Sequence, residues 1–262
     1  MSVRWEEVFK LPKTAYAGGR RIPKTVLTSR AMLTKHEQRT LDKMSRLEHF
    51  ATVAKGTARV LPRVDEEYDI QSVIFLRCGM ADDSQAVAEI AHLLHKCFPN
   101  PTVILQEAGD AIAVSVDLTR KSHAERGATF VCDVESTGLF NPDDERFGPF
   151  LGALAFDNLP QGDLLSYLEG LISCVKLAQA IEALGFYPTC TPDNRGRLLE
   201  LIADYKRLQA QVDALAEQRR DKDVTPNESA RLRMGMRRTQ RQRDGTLSDI
   251  RDISTTENGE EK

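Results

Sequence analysis

The strongest constraint on the fold is a leucine-lined repeat in the last quarter of the chain. Leu198, Leu201, Tyr205, Leu208, Val212 and Leu215 follow one another at spacings of 3, 4, 3, 4 and 3. That is the seam of an amphipathic helix and not the alternation of a strand. A charged break at Asp221-Lys222-Asp223 follows, and then Thr225-Pro226-Asn227-Glu228, a capping box reinforced by proline at the first helical position. Two helices folded back on each other are therefore predicted. The second carries Leu232, Met236, Thr239, Leu247 and Ile250 on one side, with Arg231, Arg233, Arg237, Arg238 and Arg241 spread over the other.

Upstream, the pattern is that of a mixed domain. Thr34-Lys35-His36-Glu37 reads as a capping box opening a helix to about Leu47. His49 to Leu61 reads as a hairpin broken at Gly56. Asp69 to Cys78 has the continuous apolar middle of a central strand, and Asp82-Asp83-Ser84 caps a helix that ends at Pro99 and Pro101. Thr102–Glu107 and Ala111–Leu118 form a hairpin about Ala108-Gly109-Asp110, and Ala128–Val134 adds a strand. Asp163 caps a long apolar helix to Leu184, with Gly185 as its stop, and Thr191-Pro192 opens the leucine-lined helix.

The expected fold is thus α+β: a small antiparallel or mixed sheet with helices on one face, followed by a C-terminal helical hairpin of coiled-coil type. Residues 1–135 would form the α+β domain with a basic N-terminal arm. Residues 136–160 would be an irregular connection rich in Phe and Asp, 161–253 the helical region, and 254–262 a disordered tail.

Charge is unevenly distributed. Residues 1–46 hold 11 Lys/Arg against 4 Asp/Glu, 47–194 hold 10 against 22, and 195–243 hold 13 against 7. Basic segments flanking an acidic body suit internal pairing or a polyanionic partner. Five scattered cysteines without a C-x-x-C pair suit reduced thiols in a cytoplasm. No segment reads as a signal sequence or as a membrane span.

Chemical motifs are sparse. His92 and His95 share the i,i+3 spacing of some metal sites, but no third ligand follows, and both read as residues of a solvated helix. A Mg²⁺-dependent nuclease needs strand-borne carboxylates with a lysine two residues beyond the second. The nearest approach is Asp110 and Asp117 with Lys121, which lies four residues on; Asp133 and Glu135 form another same-face pair. No phosphate loop, dinucleotide fingerprint or nucleophile elbow is present. No catalytic, cofactor or metal residue is assigned.

Arg21-Ile22-Pro23-Lys24, the strand Ile70–Leu76, and Cys97-Phe98-Pro99-Asn100-Pro101 before Thr102–Gln106 carry a resemblance, as do Val116–Lys121 and Val224–Leu232. On these residues the chain resembles the bacterial domain-of-unknown-function family 4391. The resemblance implies an accessory protein encoded beside SNF2-like helicases and DNA methyltransferases, in anti-phage or DNA-modification settings. The expected partner is a helicase- or methyltransferase-like subunit, or a second copy. Its contacts would be Ile22, Pro23, Lys24, Leu198, Leu201, Leu208, Val212 and Leu215. The arginines at 231, 233, 237, 238 and 241 would face an acidic protein or a DNA backbone.

Overall fold

The computed structural model describes residues 3–30, 33–81, 86–122, 129–189, 194–220 and 225–255. The chain divides into two compact units, Met1–Gln179 and Ala180–Lys262.

Unit 1 contains a six-stranded mixed sheet. Its strands are β1 (Tyr16–Arg21), β2 (Met44–Val53), β5 (Val73–Met80), β6 (Thr102–Ala108), β7 (Ala111–Lys121) and β8 (Thr129–Ser136), in that spatial order. Only β5 and β6 pair in parallel; the remaining neighbours are antiparallel. A parallel pair needs a crossover, and α5 (Val87–Cys97) supplies it. The short elements α1 (Trp5–Phe9), α2 (Lys24–Arg30), α3 (Lys35–Asp42) and α4 (Lys55–Ala58) surround the first strands. A two-stranded piece, β3 (Arg63–Val64) with β4 (Asp69–Ile70), and the helices α6 (Gly148–Ala153) and α7 (Leu164–Ala178) complete the unit.

Alternation along the strands sorts the core into two layers. On one face Leu47, Leu76, Cys78, Ile104 and Ala113 meet Leu27, Leu41, Ile90, Leu93 and Leu94 from α2, α3 and α5. Burial raises the thiol of Cys78 to about 12, so it stays protonated. The opposite face carries Phe75, whose ring meets Phe9 edge-on at 5.1 Å. Also on that side, Lys176 of α7 bonds Asp133 of β8 at 3.1 Å. The α+β class and mixed sheet match expectation, while helices on one face holds only for α2, α3 and α5.

The segment between β8 and α7 is tied in by its aromatics. Phe140 bridges to Ile112 of β7, stacks on Phe147 at 4.2 Å and meets Phe150 edge-on. Leu164–Leu184 has the length and hydropathy of a membrane span, yet most of it is buried inside the protein. It is a core segment broken after Ala178. The side chain of Asp163 accepts from Ser166 N at 2.8 Å, capping α7 as its position suggests.

Two local expectations change. The helix from Lys35 stops at Asp42, because Met44 onward is drawn into antiparallel pairing with β5 and buries Met44 and Leu47 from a strand. The hairpin expected over 49–61 is the end of β2 followed by α4, whose first turn is closed by Thr57 Oγ1 accepting from Ala54 N. Gly18 and Gly19 have left-handed φ near +68° and form a bulge in edge strand β1, with five residues (Tyr16 to Arg20) set against three on β2 (His49 to Ala51). The expected caps at Asp82-Asp83-Ser84 and Thr191-Pro192, and the break at 221–223, lie outside the described residues.

Unit 2 comprises α8 (Ile181–Leu184), closed by left-handed Gly185, then α9 (Arg195–Gln218) and α10 (Pro226–Thr255). The capping box forms: Glu228 N donates to Thr225 Oγ1 at 3.3 Å, and Thr225 N donates to Glu228 Oε2 at 3.0 Å. α9 and α10 pack side by side and antiparallel. Arg243 donates to Gln209 at 2.8 Å, and Gly235 lies beside Leu215, where an added Cβ would stand 3.9 Å from its side chain.

Two features of unit 1 are open to measurement. A Cβ at Gly170 of α7 would lie 2.8 Å from Pro160 Cδ and 3.2 Å from Leu159 Cδ2. Gly170→Ala should therefore destabilise by about 1–3 kcal/mol in urea unfolding. Glu37 is held at about 2 by hydrogen bonds from Lys96 and Thr34. Its folded value lies below its unfolded one, so its stabilising share is present above about pH 4.3 and fades as pH falls toward 2. Glu37→Gln should flatten the acid limb of stability between about pH 4.3 and about 2, as read by thermal melts.

Candidate functional site

Beneath α5 lies a polar cluster with no exposure at all: His95, Thr102, Ser115 and Asp117. Thr102 opens β6, while Ser115 and Asp117 stand two apart on β7, so all three present to the α5 side. Asp117 Oδ1 accepts from the Thr102 backbone N–H, and from Thr102 Oγ1 at 2.8 Å. His95 Nδ1 lies 2.6 Å from Thr102 Oγ1 and 3.1 Å from Asp117 Oδ1, and His95 Nε2 lies 2.9 Å from Ser115 Oγ. An Nδ1–H directed at Thr102 and Asp117 leaves Nε2 to accept the Ser115 hydroxyl.

Ser115–His95–Asp117 thus has the connectivity of a nucleophilic triad. Its setting does not suit the chemistry. A nucleophile must meet its substrate, whereas Ser115 sits in mid-strand, paired to Ile104 and Ser136 and roofed by α5. The cluster ties the crossover helix to the sheet. His95, read from the helical wheel as a solvated flank residue, is wholly buried; only His92 is exposed, so the two do not converge. The missed signal is the Thr102, Ser115, Asp117 set on otherwise apolar strands.

A second cluster occupies the other face. Glu107 receives Trp5 Nε1 at 2.9 Å and a fork from Arg77 at 2.7 and 3.1 Å, with Arg46 at 3.6 Å. It anchors α1 to the sheet. Nearby in the fold, Lys176 of α7 bridges Asp133 at 3.1 Å and Glu135 at 3.5 Å. Burial pulls the Lys176 ammonium down, but those two carboxylates outweigh it and raise it. The same-face acidic pair therefore serves packing.

The residues nominated for a nuclease are not brought together. Asp117 is committed to Thr102 and His95, Lys121 Nζ donates to the Asp65 carbonyl at 2.6 Å, and Asp110 lies in the β6–β7 turn. Among the described residues no group of three His, Cys, Asp or Glu could hold a metal ion.

Two surfaces carry the residues expected to make contacts. In unit 1, Ile22, Pro23, Val26, His49, Ile74 and Phe98 line a groove of about 480 Å³. Arg20 and Arg21 stand exposed along its rim. Lys24 is engaged elsewhere, donating to the Asp42 carbonyl at 3.2 Å. In unit 2, Leu198, Leu201 and Val212 are buried and Leu208 and Leu215 half-buried. Arg231, Arg233, Arg237, Arg238 and Arg241 are all exposed, and none forms an ion pair among the described residues.

A family model described as a domain of unknown function, DUF4391, matches residues 9–242. The chain belongs to that family. No curated protein and no solved structure matches it. Within this DUF4391 chain the matched range takes in the buried cluster, the groove and the five arginines.

Removing His95 would leave the Ser115 hydroxyl without its imidazole partner and strip one of three contacts from Asp117 Oδ1 in the interior. His95→Ala should cost about 2–4 kcal/mol in denaturant unfolding. A serine-directed fluorophosphonate should leave Ser115 unmodified in the folded protein. Labelling of native Ser115 would contradict the structural role.

Proposed function

We propose that this DUF4391 protein acts by binding and not by catalysis, as a cytoplasmic accessory subunit of a bacterial DNA-modification or anti-phage system. Its docking element is the outward face of α10, and the ligand is the backbone of duplex DNA presented alongside a helicase- or methyltransferase-like enzyme. The observation that carries this reading is the unpaired arginine face.

Between Ala230 and Asp244 the sequence holds six arginines and no carboxylate. The five outward ones, Arg231 to Arg241, cover one side of the helix over about 15 Å at 1.5 Å per residue. Protein interfaces need an apolar centre as well as charge. The outward face offers only Met234 as a large apolar group, at 65% exposed. It holds no aromatic residue, so stacking on unpaired bases is not supported. Guanidinium groups with little apolar and no aromatic company suit phosphates spaced along a duplex.

Fluorescence anisotropy with a 20-base-pair duplex tests this. Five phosphate contacts predict that log K falls against log salt with a slope of about −4 to −5. Arg237→Glu, Arg238→Glu and Arg241→Glu together should abolish binding while the far-ultraviolet circular dichroism is retained. No binding by the native protein at low salt, or full binding by the triple variant, would overturn the proposal.

A further inference from the structure

The groove beside the edge strand lies in unit 1 and the arginine helix in unit 2, and the reading of the groove stands whether or not that helix binds DNA. Most of its lining is apolar: Ile22, Pro23, Val26, Ile74 and Phe98. Its volume of about 480 Å³ accommodates two large side chains but not a folded domain. Small-molecule sites add convergent buried polar groups that fix orientation. Apart from the two arginines, the one polar side chain of the lining, His49, already spends Nε2 on Thr52 at 2.7 Å. Orientation must then come from the rim.

The rim is cationic. Arg20 and Arg21 are exposed, and among the described residues no carboxylate pairs with either. They lie on β1, the sheet's outer strand, immediately after the Gly18-Gly19 bulge. That bulge spoils the regular edge for simple strand addition, so recognition falls to side chains. Two guanidinium forks beside an apolar trough match carboxylates flanking apolar anchors. We infer that the groove formed by Ile22, Pro23, Val26, Ile74 and Phe98 docks a short acidic-apolar peptide segment of a partner protein. Arg20 and Arg21 clamp its carboxylates.

The probe is a fluorescein-labelled hexapeptide, Asp-Asp-Leu-Phe-Asp-Asp, titrated against the full chain by anisotropy. The native protein should bind it saturably, and a Gly-Gly replacement of Leu-Phe should weaken binding at least about tenfold. Arg20→Glu with Arg21→Glu, and separately Val26→Glu, should each weaken binding at least about tenfold, with unchanged melting temperature. The triple arginine variant of α10 should bind the peptide as the native chain does, which separates failure here from failure of DNA binding. Absence of saturable binding, equal binding of the Gly-Gly peptide, or an unaffected Arg20/Arg21 variant would overturn the inference. So would single-stranded DNA displacing the peptide through the same two arginines. The peptide comparison uses the native protein, so its outcome does not depend on any variant folding.

Discussion

A single carboxylate oxygen organises unit 1. Asp117 Oδ1, fully buried, gathers the amide and hydroxyl of Thr102 and lies beside Nδ1 of His95. Those contacts join β7 to the first residue of β6 and both to the crossover helix. Buried charge-assisted hydrogen bonds are strong when satisfied and costly when broken, so they fix the register of what they join. The helix end is fixed with them: His95 lies three residues before Phe98, where Pro99 and Pro101 stop α5. Phe98 in turn lines the groove, so the shape of that surface depends on a fully buried network.

The same network shows why connectivity and function differ. Ser115, His95 and Asp117 stand in hydrogen-bond order, yet each is sealed between helix and sheet. Unit 1 offers to solvent an apolar trough beside two exposed arginines, and unit 2 a guanidinium face. Both hold shape and charge, the means by which proteins select partners.

Periodicity revealed the elements whose stability is local. The strands Thr102–Ala108 and Ala111–Lys121 with their Gly109-Asp110 turn, the Asp163 cap and the Thr225–Glu228 box were all legible, because each signal lies within a few residues. Met44–Val53 was not, since its strand state comes from pairing with β5 some thirty residues later and overrides a helical pattern. The buried role of His95 was hidden for the same reason. On the wheel it flanks the apolar stripe, and only the fold brings Ser115 and Asp117 beneath it. The groove was half legible: Ile22 and Pro23 line it, Lys24 pairs with Asp42 instead, and Phe98 arrives from a distant helix.

If the Asp117 network is sealed and structural, Ser115, His95 and Asp117 do not meet solvent in the native state. Native-state hydrogen exchange at the Thr102 amide measures this directly, since that proton is donated to Asp117. A sealed network predicts exchange only through global unfolding, with a protection free energy equal to the unfolding free energy from denaturant and the same denaturant dependence. Exchange through a local opening, insensitive to denaturant and several kcal/mol below global stability, would show that Ser115, His95 and Asp117 reach solvent in the native state. That result would contradict a sealed, structural cluster.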